Sequence, residues 1–228
     1  MAVQQYLMMG KSGTDRNVIS GERWVWGLNT SGIGGLGNTT NISSPVQVGS
    51  LTDWQNTEIP NGSNGGDRGD FSATHVASVK SDGTLWTWGV NSVGQLGHGN
   101  TTFYSSPVQV GSLTDWKEAS VGQAMTVAVK TDGTLWTCGS GGYGKLGHNN
   151  ETSISSPAQV GSDTDWVHVI PRNTEQTVVM KSDGSIYVTG RIDMIGETNV
   201  STMTQIGSET GFVDAVAMGN HIVLWKEA

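Results

Sequence analysis

One string of residues governs every other inference from this 228-residue chain, because it occurs more than once. KSDGTLWTWG at 80–89 returns as KTDGTLWTCG at 130–139 and as KSDGSIYVTG at 181–190, and GERWVWG at 21–27 is a shortened copy. Downstream of each copy stands SSPVQVGSLTDW (43–54 and 105–116), then SSPAQVGSDTDW (155–166), then the degenerate STMTQIGSETGF ending at Phe212. Pro45, Pro107 and Pro157 lie 62 and 50 residues apart. A fixed period of about 20 to 50 residues is the mark of a solenoid, propeller or array, in which one supersecondary unit is stacked on the next.

Each unit reads as strands. TVAVKTDGTLWTCG sets two alternating apolar and polar runs around Asp132 and Gly133, which predicts a hairpin closed by a two-residue turn. Side chains alternate along a strand, so Trp86 and Trp88 share one face while Leu85 and Thr87 share the other. Trp24, Trp136 and Tyr187 match Trp86, and Trp26, Cys138 and Thr189 match Trp88. Eight of the nine tryptophans occupy repeat positions and are expected to pack between neighbouring sheets. A glycine loop follows (90–100 and 140–150), then a proline-led edge strand, since a strand-initial or edge proline forfeits no ladder hydrogen bond. The segment 117–130 adds two more strands, which makes four per unit and fits a propeller blade.

The expected architecture is all-β: a β-propeller of four blades, each of four antiparallel strands. Repeat units begin near residues 21, 83, 133 and 184, within a propeller spanning 21–228 that is preceded by an N-terminal arm at 1–20. Residues 214–226 match 118–130, and the arm that should come next is found at the start of the chain instead. The N- and C-terminal segments are therefore expected to share one blade and close the ring.

The strand GTLWTWG, the loop NSVGQLG (91–97) and the strand SSPVQV together resemble the regulator of chromosome condensation (RCC1) repeat family over nearly the whole of 21–226. The resemblance implies four-stranded propeller blades. The founding member has seven blades, whereas this chain has material for four, so either a small ring closes alone or chains combine. Family exchange factors act on a small GTPase through a protruding wedge, and no counterpart of that wedge stands out here.

Composition narrows function further. With 20 acidic against 12 basic residues the net charge is −8, and no Lys/Arg cluster occurs, so direct nucleic-acid binding is not expected. No stretch approaches the roughly 20 apolar residues of a membrane span, and the N-terminus does not read as a signal peptide. Asn38, Asn100 and Asn150 stand in glycosylation sequons but are better explained as turn residues. The single cysteine, Cys138, replaces a repeat Trp and reads as a small packed hydrophobe. No nucleophile elbow, phosphate loop or metal-ligand pair appears, so the chain is expected to be non-catalytic and to need no cofactor or metal. His98 and His148 recur but read as turn caps, and Asp82, Asp132 and Asp183 each precede a turn glycine.

Two segments depart from the repeat and are the candidate contact sites. The insert at 59–71 offers Asn64, Asp67, Arg68, Asp70 and Phe71 to a partner, and the N-terminal arm offers Tyr6, Leu7, Met8 and Met9, which could also add a strand to this propeller or a neighbouring subunit. A weak calcium loop at Asn64, Asp67 and Asp70 is disfavoured by its spacing. The expected role is a structural or adhesive module with protein partners: virion subunits or a host receptor in a phage particle, with homo-oligomers possible. The alternatives are a cytoplasmic regulator binding a small GTPase or other signalling protein, favoured by an acidic patch or a protruding hairpin on one face, and a carbohydrate-binding module, favoured by exposed rim aromatics but weakened because most aromatics fall within strands.

Overall fold

A computed structural model describes residues 20–55, 74–170, 175–191, 199–218 and 221–226. The insert at 59–71 and Tyr6, Leu7, Met8 and Met9 of the arm lie outside the described residues.

The strands run in chain order as β1 (Ser20–Gly21), β2 (Trp24–Gly27), β3 (Ile42–Gln47), β4 (Trp54–Gln55), β5 (His75–Val79), β6 (Leu85–Gly89), β7 (Tyr104–Gln109), β8 (Trp116–Gly122) and β9 (Met125–Lys130). They continue as β10 (Leu135–Gly139), β11 (Ile154–Gln159), β12 (Trp166–Ile170), β13 (Gln176–Lys181), β14 (Ile186–Gly190), β15 (Val200–Gln205), β16 (Phe212–Met218) and β17 (His221–Lys226). Two four-stranded antiparallel sheets, β8–β9–β10–β11 and β12–β13–β14–β15, are complete blades. The sheet β5–β6–β7 is extended by a bridge from Trp54 of β4 to Lys80 and forms a third. At the two ends, β2–β3 and β16–β17 are separate two-stranded sheets with no strand pairing between them among the described residues. The four-stranded blades of the expected propeller are thus present, while among the described residues the end sheets stay apart and the described strands form an open arc.

Apolar contacts between blades hold the arc together. Val127, Val129 and Leu135 of one blade meet Trp166, Val169 and Val179 of the next, with Leu146 of the intervening glycine loop in the same cluster. An equivalent cluster joins Val79, Leu85 and Val110 to Trp116, Ala119 and Ala128, and a third joins Val178, Ile186 and Val188 to Ala215. Both faces of an inner blade are buried, which is why Leu85, Thr87 and Trp88 are all at most 1% exposed although they point to opposite sides.

The glycine loops are clamps between blades. Gly37 N–H donates to Ser105 O at 2.8 Å, Gly99 to Ser155 O at 2.7 Å, and Asn149 to Ser201 O at 2.7 Å, each reaching the outer strand of the following blade. A Cβ at Gly144, whose φ is +73°, would lie 2.5 Å from Ser201 Cα, so this approach demands glycine twice over. In the first two loops an asparagine side chain, Asn29 or Asn91, replaces missing backbone partners: Asn91 Nδ2 donates to Asn100 O at 2.9 Å and its Oδ1 accepts from Leu96 N at 2.9 Å.

Two local expectations need correction. The hairpin turn has three residues rather than two: Lys130 N–H bonds Thr134 O, Gly133 N–H bonds Lys130 O, and only Gly133 has positive φ (+77°). The reason is Thr134, whose N–H and hydroxyl both donate to Asp132 Oδ1, at 3.0 and 2.7 Å, and hold that carboxylate in the turn. The proline strands also begin before their proline, as in Ile42–Gln47 around Pro45; the strand is an outer one, so the missing N–H costs nothing.

Candidate functional site

Antiparallel order fixes which features share a face. In a blade the turn between the second and third strands and the connection from the fourth strand to the next blade fall on one face; the turn between the first two strands and the glycine loop fall on the other.

The first of these faces is acidic. Asp82, Asp132 and Asp183 occupy the same turn in three successive blades and are exposed. Each accepts two hydrogen bonds from the residue two places on. For Asp82 these come from Thr84 N–H at 2.9 Å and Thr84 hydroxyl at 2.6 Å, and for Asp183 from Ser185 at 2.8 and 2.5 Å. Those bonds favour the ionised form and lower each pKa below the ordinary 3.8. The Thr84 hydroxyl in turn accepts from Trp86 Nε1 at 2.8 Å, and Thr134 from Trp136 Nε1 at 2.8 Å, so turn and tryptophan are locked together.

The lysine two places before each of these aspartates is already engaged. Lys130 Nζ lies 5.0 and 4.5 Å from the ring centres of Trp116 and Trp136 and 3.3 Å from Asp115. Lys80 repeats this with Trp54, Trp86 and Asp53, and Lys181 with Trp166, Tyr187, Asp163 and Asp165. Partnered cations leave the turn carboxylates as the outward-facing charge. Sequence reasoning explained these aspartates by turn chemistry and missed their alignment; the signal available was their recurrence at one blade position, which strand order places on one face.

The opposite face carries the glycine loops, with Phe103 56% exposed and Tyr143 39% exposed at φ +61°. Arg191 sits 5.6 Å from the Tyr143 ring centre. These are positions where the repeats differ, Asn41 and Ser153 matching Phe103, and Ser31 and Val93 matching Tyr143.

His98 and His148 are brought to equivalent places in separate blades and not to each other. Each Nε2 meets a strand hydroxyl of its own blade at 2.9 Å, Thr87 or Thr137, so they brace the loop against the strand as well as the turn. Burial lowers both pKa values. Cys138 is 2% exposed with its Sγ 3.6 Å from Gln95 O, and burial pushes the thiol up to about 12, which fits a packed hydrophobe. Among the described residues no group of three or more His, Cys, Asp or Glu side chains is placed to hold a metal ion. An open groove of about 370 Å³ beside Val48, Trp54, Trp86 and Pro107 is lined by apolar side chains, with Gln47 and Ser106 the polar ones.

The end sheets contradict the expected burial of the repeat tryptophans. Trp24 is 50% and Trp26 69% exposed on β2, and Trp225 is 47% exposed on β17. Their inner-blade counterparts are covered by a neighbouring blade, and no described blade covers these.

The family model for the regulator of chromosome condensation (RCC1) repeat matches residues 82–129 and 132–170. Among solved structures, Prp20p from Saccharomyces cerevisiae, described with its binding properties to Gsp1p and histones, is 18% identical at a TM-score of 0.70, over 91% of this chain and 52% of that one. Yeast RCC1 (Prp20) bound to Kap60 is 14% identical at 0.66, over 100% and 57%, and human WBSCR16 is 14% identical at 0.59, over 90% and 72%. The likeness is one of fold, and the chain spans little more than half the length of either Prp20 chain.

Proposed function

Because residues 82–129 and 132–170 match the RCC1 repeat, we propose that the chain is a non-catalytic protein-binding module and, more specifically, a regulator that engages a small GTPase or another signalling protein. The observation that carries this is the acidic arc of Asp82, Asp132 and Asp183, three exposed carboxylates held ionised at one position of successive blades. Aligned charge of one sign on a rigid scaffold steers a basic surface toward it and selects against acidic ones. The partners named for Prp20p are proteins, which supports a protein ligand over a sugar. The comparisons also favour this reading over the virion component expected from repeat composition.

The test is direct binding by biolayer interferometry to purified small GTPases in nucleotide-free and nucleotide-bound forms, with core histones as a second basic partner. Binding should weaken with salt, and the triple change Asp82→Asn, Asp132→Asn, Asp183→Asn should reduce both affinity and salt dependence while Asn preserves the turn bonds. Equal binding by the triple variant would remove the arc from the argument, and binding to none of these proteins would remove the regulator reading.

A further inference from the structure

The two end sheets of the arc are the two halves of one blade. β16–β17 matches β8–β9, the first pair of a complete blade, and β2–β3 matches β10–β11, the second pair. Among the described residues, β17 pairs only with β16 and β2 only with β3, so a second-strand edge is open at one end and a third-strand edge at the other. We propose that these edges pair between two copies of this chain, head to tail, closing one ring from two chains.

The register is set by the chain's own complete blade. There Trp136 faces Ala128, Thr137 faces Val127 and Cys138 faces Thr126. Transferred to the ends by the repeat, Trp24 pairs with the partner copy's Leu224, Val25 with its Val223, and Trp26 with its Ile222. Side chains then fall correctly on both faces. Ile222 and Leu224 already pack on Val178, Ile186 and Val188 of the preceding blade, so Trp24 and Trp26 come down on that same cluster. Their counterparts Trp136 and Cys138 do the same: Trp136 packs on Val79 and Leu85, and Cys138 on Gln95. On the other face Val223 (39% exposed) and Trp225 (47%) match Val127 and Val129, which are 3% and 0% exposed under the following blade. That following blade is offered by the partner, where Arg23 lies 5.6 and 5.4 Å over the rings of Trp54 and Trp88, directly opposite Trp225.

Three half-exposed tryptophans and a valine expose about 400 Å² of side chain at each seam, taking roughly 200 Å² or slightly more for a whole Trp. Two seams give about 800 Å² from these side chains alone, and the backbone and facing-blade surface add to that toward the roughly 1,200 Å² at which specific interfaces begin. The arc superposes on a propeller chain of nearly twice its length at a TM-score of 0.70, so its curvature is that of a ring with more blades than one copy supplies. Three complete blades from each copy and one shared blade at each seam make eight, inside the range of four to eight seen in propellers. Two identical heterologous contacts related by a two-fold axis close without leaving an edge. This inference is independent of what the acidic arc binds.

The experiment combines native mass with directed cross-linking of the full chain. Light scattering over a wide concentration range should give twice the 24.0 kDa chain mass. A Trp26→Glu variant should return it to the single mass, with far-ultraviolet circular dichroism unchanged. Separately purified Val25→Cys and Val223→Cys variants, mixed and oxidised, should form a covalent heterodimer, while neither alone does so. The native Cys138 is buried and stays out of the reaction. A single mass at every concentration overturns the proposal, as does an internal disulfide within one chain when both changes are combined. A dimer that gives no link between the two variants overturns it too.

Discussion

Acidification provides a sharp test of the packing between blades, through His75. This imidazole is 0% exposed and bridges two blades: its Nε2 lies 3.1 Å from Thr126 Oγ1, whose own proton goes to Gln95 O at 2.7 Å. The hydroxyl is therefore an acceptor toward His75, Nε2 carries the proton, and Nδ1 is a buried nitrogen with no partner. Protonating Nδ1 would place both a charge and an unpaired donor in the core. Burial is the main cause that lowers the pKa to about 4, with the backbone of Met125 pulling weakly the other way. The unfolded chain takes up a proton near 6.5 that the folded chain refuses until about 4. Stability is therefore fully present above 6.5 and falls with decreasing pH by about 1.4 kcal/mol per unit, roughly 3 kcal/mol in all. The other blades supply the control residues, because Met125 and Gln176 hold the same register position opposite Gly139 and Gly190 that His75 holds opposite Gly89. Urea unfolding of wild type, His75→Gln and His75→Met at pH 6.5 and 5 should show wild type losing about 2 kcal/mol more than either variant. His98 and His148, also depressed, are common to all three proteins and cancel in the comparison. Equal losses in wild type and both variants would refute the assignment of a buried neutral imidazole.

Other expectations follow from the same geometry. Gly144→Ala should cost more than about 2 kcal/mol in thermal or urea unfolding, since the added carbon meets Ser201 Cα as well as a positive φ; Gly111→Ala, with φ +60° and nothing within 4 Å, should cost only the backbone strain of about 1 kcal/mol. Lys145 is buried and ion-paired with Glu175 while also donating to Gln123 O at 2.8 Å. Glu175→Gln alone should therefore destabilise by about 3 kcal/mol, and adding Lys145→Gln, the residue that Gln95 provides in the preceding repeat, should restore much of the loss. Ala124 holds φ +53° in the two-residue turn between β8 and β9, so Ala124→Gly should raise the melting temperature by a few degrees, equivalent to at most about 1 kcal/mol. Asp82, Asp132 and Asp183 have folded pKa values below their unfolded ones and give up their contribution as pH falls through them, so the triple Asn variant should lose less stability than wild type in urea unfolding below pH 3.8.

The sequence made the blade legible and left its neighbours less so. Alternation placed Leu85 and Thr87 opposite Trp86 and Trp88, and recurrence placed the strands, because each depends on contacts inside one repeat. The Asp-Gly turn was misjudged by one residue since the deciding contact comes from Thr134, just past the dipeptide that draws the eye. The larger difference lies at Trp24 and Trp26. They carry the motif of Trp86 and Trp88, yet Trp88 is 0% exposed, with its Nε1 donating to Ile33 O at 2.8 Å, while Trp26 is 69% exposed. Matching tryptophans acquire opposite burial because burial in a repeat protein comes from the next unit, and stability is a sum of units and the interfaces between them. A repeat therefore encodes how a blade is made and what it wants beside it, but nothing in a single repeat says which chain supplies the neighbour at either end. That choice rests on curvature, a property of accumulated angles between blades, and it is the reason the shared blade read from the sequence reappears here as a seam between two copies.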